Sequence, residues 1–122
     1  MDSLEKEFVP MDLALKLKAL GFKERVLTYY EDGKPKVYTA IEGWDFNNSF
    51  LNCVSRPTFS QAFRWFREKY EFYASVVYMN SKNAFYITVY GKEKIEFYFD
   101  TYEEAELDCL VKLIEIVESK TE

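Results

Sequence analysis

The amino-acid sequence predicts an α+β fold: an antiparallel sheet of about five strands with three helices mostly on one face, in the order α-ββ-α-βββ-α. The first observation behind this is a strict two-residue alternation. Phe85, Ile87 and Val89 alternate with Tyr86, Thr88 and Tyr90, and successive side chains of a strand point to opposite faces. The second is a pair of helical-period stretches, each opened by a capping box, Thr58 with Gln61 and Thr101 with Glu104. The third is composition: 19% of the chain is aromatic, which favours sheet. With 122 residues, 48% of them hydrophobic, the chain reads as a single domain over residues 1–122 with a real core.

Taken in order, Pro10 opens the first helix, where its missing N–H has no partner to lose. Leu13, Leu17 and Leu20 share one face, and Gly21 suits a left-handed C-cap. Residues 25–30 read as a strand, 31–34 as a turn with Gly33 supplying positive φ, and 36–40 as the returning strand. Pro35 confines that strand to an edge. Residues 42–57 have no clear period and carry Trp44 and Phe46; a loop this long is uncommon in a compact domain and is often functional. Residues 58–70 form a helix whose buried stripe is Phe59, Ala62, Phe63, Phe66 and Tyr70. Trp65 falls off that stripe, and Arg64 and Arg67 lie opposite it. Residues 73–80, 84–90 and 95–99 form a meander. A last helix, reaching to about residue 119, turns a wide apolar arc inward: Cys109, Leu110, Leu113, Ile114, Ile116 and Val117.

A net charge of -5 disfavours non-specific binding to nucleic acid or anionic membrane. No apolar run reaches the ~18 residues of a membrane span, and residues 1–7 carry mixed charge without an apolar signal core. A cytoplasmic protein is the expectation. Cys53 and Cys109 are isolated and fit free thiols in a reducing compartment. The chain has no histidine, and its 4 glycines are scattered singly. The commonest general base and metal ligand is therefore missing, as is any phosphate-cradling loop. No catalytic set, cofactor or metal is expected. Glu106, set inside the apolar arc, is the acid whose burial would mark a site, and a carboxylate-based enzyme is the third reading.

The expected function is binding. The candidate residues are Trp44, Asn48, Arg56, Arg64, Trp65, Arg67, Tyr86, Tyr90 and Tyr98. Trp65 reads either as an interface anchor or as packing under the 42–57 loop. Arg56, Arg64 and Arg67 with nearby aromatics read as a site for a small anionic ligand or nucleotide, or as arginines paired with neighbouring acids. Tyr73, Tyr86, Tyr90 and Tyr98, with Thr88 and Glu96, make an amphipathic face. The chain itself, a second copy or another protein would cover it; the acidic balance disfavours nucleic acid there.

Residues 7–22 (Glu-Phe-Val-Pro through Leu-Gly-Phe), 61–70 (Gln-Ala-Phe-Arg-Trp-Phe-Arg-Glu-Lys-Tyr) and 102–117 resemble a family of small uncharacterised proteins of Bacteroidetes-type bacteria and their phages or prophages. These stretches cover the three predicted helices, somewhat under half of the chain. The resemblance implies a mobile-element accessory protein with a host protein as its target. It implies no catalytic residues.

Overall fold

A computed structural model describes residues 3–90 and 97–120. The chain divides into two compact units, Met1–Ala62 and Phe63–Glu122. The fold is α+β, and the described residues form two three-stranded antiparallel sheets and four α-helices. The expected single sheet of about five strands is thus two sheets, and there is one helix more than expected. The extra helix and a sixth strand arise in residues 42–57, which hold a four-residue helix and a three-residue strand. Elements that short show no resolvable period.

In the first unit, α1 (Met11–Ala19) starts behind Pro10 and buries Leu13, Ala14 and Leu17. The hairpin β1 (Thr28–Glu31) and β2 (Lys34–Val37) pairs Glu31 with Lys34. Its turn is therefore only Asp32-Gly33, with φ of 52° and 80°. Two left-handed residues match the twist of a hairpin. With this tighter turn the first strand ends later than the expected 25–30 and the second begins earlier than the expected 36–40. β2 is an edge strand, as Pro35 requires. After α2 (Phe46–Ser49), β3 (Cys53–Ser55) pairs with the other side of β1, giving the order β2-β1-β3.

The helix α3 (Phe59–Tyr70) carries the chain from one unit into the other. Its capping box forms as predicted: the Gln61 N–H donates to Thr58 Oγ1 at 3.1 Å, and the Thr58 N–H donates to Gln61 Oε1 at 2.8 Å.

In the second unit, β4 (Tyr73–Met79), β5 (Ala84–Tyr90) and β6 (Phe97–Phe99) form a meander in sequence order. Ile95, Glu96 and the predicted turn at residues 91–94 lie outside the described residues. The helix α4 (Tyr102–Lys120) packs on all three strands. Its whole predicted arc is buried, from Cys109 to Val117, above Ile87 and Val89 of the sheet.

Burial, with smaller pushes from Asp108 and Glu106, raises the Cys109 thiol from 9.0 to about 12. The pH dependence follows from that direction. Below pH 9 both folded and unfolded chains keep the proton. Between pH 9 and 12 the unfolded chain loses it first, so stability falls as pH rises, by about 1.4 kcal/mol per pH unit from this one group. Urea unfolding between pH 8 and 10.5 is expected to show a shallower alkaline decline for Cys109→Ala than for the wild type. Parallel declines would contradict it.

Candidate functional site

The first unit builds a pocket from residues that alternation places on one sheet face. Tyr29 and Glu31 are two apart on β1, so they point the same way, and Cys53 lies directly across from Glu31 on β3. The opposite face of β1 is structural. Tyr30 donates its hydroxyl to the Val9 carbonyl at 2.9 Å, and the Thr28 hydroxyl donates to the Arg56 carbonyl.

Over the pocket face sits α2, held by a buried polar clasp. The Phe46 N–H donates to Ser55 Oγ at 3.1 Å. Asn47 accepts the Ser55 N–H at its Oδ1, 2.8 Å, and donates its Nδ2 to the Phe22 carbonyl, 2.9 Å. Just before α2, Trp44 exchanges two backbone hydrogen bonds with Val26, at 2.9 and 3.0 Å. Gly43 permits this approach. Its φ is +69°, and a Cβ there would lie 2.8 Å from the Val26 carbonyl oxygen.

The result is a cavity of about 240 Å³ with Tyr29, Tyr38, Trp44, Phe46 and Phe50 as walls, and Glu31 and Cys53 completing its lining. Phe46, itself buried, is the hub. It stacks on Tyr29 at 4.1 Å, meets Tyr38 nearly at right angles at 5.5 Å, and lies 6.1 Å from Phe50. Trp44 and Phe50 remain 38% and 50% exposed, which keeps the pocket open to solvent. The Cys53 thiol is pushed up, first by burial and then by the charges of Glu31 and Asp32, with Lys18 opposing. It is therefore protonated at neutral pH and a poor nucleophile.

The predicted site residues fall in several places. Trp44 lines this pocket. Asn48 is exposed and donates to Asp45 Oδ2 at 2.8 Å, a local bond at the start of α2; its neighbour Asn47 holds the site together and was not singled out by sequence. Arg56 lies over the rings of Phe8 and Tyr30, 4.4 and 5.3 Å from their centroids, so its guanidinium is engaged in the first unit's own packing. Arg64 and Arg67 are exposed on α3.

Of the two readings of Trp65, the exposed anchor is overturned and internal packing remains, since the residue is buried at 5% exposure. Its large indole reaches inward from the edge of the stripe, meeting the rings of Phe66 and Tyr70 at 5.0 and 5.6 Å, with the Lys69 amine over it at 5.1 Å. Cys53, expected in a loop, is a buried strand residue. Glu106 is half-buried. It is absent from the lining of a second cavity, about 260 Å³, formed by Phe63, Ala74, Val76, Tyr102 and Cys109 among others.

The described part of the predicted tyrosine face forms; Glu96 lies outside the described residues. The register sets Tyr73 opposite Tyr90, Ser75 opposite Thr88, and Tyr86 opposite Tyr98. Cross-strand partners share a face, and this one is the reverse of the face carrying Ile87 and Val89. Tyr73, Tyr90 and Tyr98 are about half exposed, while Thr88 is buried. The Tyr86 and Tyr98 rings lie 6.0 Å apart, with the Lys82 amine 4.3 Å from the Tyr98 centroid.

Among the described residues no helix is long and apolar enough to cross a membrane, and no group of three or more His, Cys, Asp or Glu could hold a metal ion. No family model, curated protein or solved structure matches the chain.

Proposed function

We propose that this protein is a non-catalytic binding protein whose principal site is the aromatic pocket of the first unit. One observation carries the reading: five aromatic rings converge on one cavity, and the backbone around them is fixed by the buried Asn47 clasp and the close approach at Gly43. A concave, largely apolar and preformed cavity with few polar groups is the usual form of a ligand site. Its lining supplies one carboxylate and one protonated thiol, a set suited to orientation more than to chemistry. The resemblance to phage and mobile-element proteins supports a host component as the source of the ligand.

NMR titration of isotope-labelled protein with a small-molecule fragment set tests this. The expected hits shift the Trp44 indole and the Phe46 and Tyr38 amides together. Hits that move only residues outside the pocket would overturn it.

The tyrosine face supports a second reading, contact with a protein or a second copy. Three half-exposed tyrosines on one sheet face favour it, since such rings combine apolar area with polar tips. Light scattering across a dilution series separates a self-interface from an open surface.

A further inference from the structure

We infer that the pocket takes an alkylated ammonium group, of the kind carried by choline-like molecules and by trimethylated lysine side chains. This rests on the reading of the pocket as the binding site and names its ligand class.

The walls come first. A cation is attracted to the electron-rich face of an aromatic ring, and groups of rings are the recognised means of holding quaternary ammonium. Here five rings surround one cavity. Tyr29 and Phe50 lie within 13° and 29° of the Phe46 plane, and Tyr38 crosses that set at 79°. The crossing ring closes the stack at one end and leaves room for a compact guest.

Charge points the same way. The lining contains one carboxylate, Glu31, and neither lysine nor arginine. The lining itself therefore gives an anion no cationic partner. Asp45, between Trp44 and Phe46 in sequence, keeps a buried carboxylate oxygen, Oδ1, with no hydrogen-bond partner among the described residues. The chain as a whole carries -5. The nearby cations stand outside the lining: the Lys18 amine donates to the Cys53 carbonyl at 3.0 Å, and Arg25 lies 5.9 Å from the Trp44 centroid. Lys34 and Lys36 are exposed on the edge strand β2, opposite Glu31 and Tyr29.

Size and hydrogen bonding narrow the guest. A cavity of about 240 Å³ is smaller than the roughly 300–1,000 Å³ of sites for drug-sized ligands, so it fits a headgroup or the end of a side chain. A bare ammonium brings three N–H donors that rings satisfy poorly. A quaternary nitrogen brings none, so nothing is left unpaired against an aromatic wall.

The test is calorimetry with NMR mapping, using choline, its uncharged isostere 3,3-dimethylbutan-1-ol, and a short peptide with and without a trimethylated lysine. Choline or the trimethylated peptide is expected to bind about tenfold tighter than the isostere or the unmodified peptide, with the Trp44 indole signal moving. Glu31→Gln is expected to weaken cation binding severalfold and leave the isostere unaffected. A trimethylated peptide that outbinds choline identifies a protein side chain as the source; the reverse identifies a free small molecule. If charged and neutral probes bind the pocket equally, the cation inference fails and the pocket reading survives. If no probe perturbs the pocket signals, both fail.

Discussion

Gly43→Ala is expected to destabilise the protein by about 2–4 kcal/mol, measured by urea unfolding. Two costs add. The φ of +69° is in the left-handed region, which costs an L-residue roughly 1–2 kcal/mol. The new Cβ would also meet the Val26 carbonyl oxygen at 2.8 Å and its carbon at 3.1 Å. Those are backbone atoms and cannot swing aside as a side chain would. Relief requires the 43–44 backbone to move away, stretching both hydrogen bonds between Trp44 and Val26. Gly33→Ala supplies the control. Its φ is +80°, with nothing within 4 Å of the added Cβ, so it should cost only the conformational part, about 1 kcal/mol. The excess at Gly43 measures how tightly Trp44 is pinned to Val26. Equal losses at the two glycines would show that the close approach does not constrain the pocket wall. The same displacement should weaken any ligand that uses the Trp44 ring, beyond what the stability loss alone explains.

What sequence could show here was set by the length of the signal. The Thr58 and Gln61 pair is a local rule with one geometric outcome, and both of its hydrogen bonds form. The arc of α4 spans several turns, long enough for its period to identify the buried residues from Cys109 to Val117, though not Ala105 in the first turns. The tyrosine face needed only alternation. Trp65 was misplaced because a helical wheel assigns direction without reach, and an indole at the edge of a stripe can still fold inward.

The pocket was legible only in part. Residues 42–57 stand out as an aromatic stretch, and Trp44 within it lines the cavity. Its other walls come from β1, from Tyr38 beyond β2 and from α2, and only the tertiary pairing joins them. A sharper reading of Asp32-Gly33 as a two-residue turn would have set the hairpin register and placed Tyr29 beside Glu31. Nothing local distinguishes Asn47 from Asn48. One is buried and bonded twice to distant backbone, while the other is exposed and bonded to a neighbour.

That difference makes Asn47 the more severe test of how the site is held. Asn47→Leu keeps similar volume but removes an acceptor and a donor together. The Ser55 N–H and the Phe22 carbonyl would lose these buried bonds, at about 1–3 kcal/mol each. A total loss of about 3–5 kcal/mol in urea unfolding is expected, with α2 and Phe46 released from β3. Asn47→Asp separates hydrogen bonding from packing. Its carboxylate still accepts the Ser55 N–H, but at neutral pH it turns a second oxygen, with no proton to donate, toward the Phe22 carbonyl. Burial and that carbonyl both disfavour the charged form, so the folded pKa of the new aspartate should lie above its unfolded value of about 3.9. By linkage the penalty is smallest below pH 3.9, where the protonated acid donates to Phe22. It grows as pH rises and is complete above the folded pKa. Asn47→Asp should therefore approach the wild type near pH 4 and fall toward Asn47→Leu at pH 7, while Asn47→Leu stays low throughout. Equal losses for both variants at both pH values would mean that side-chain volume, not the two hydrogen bonds, holds α2 over the sheet.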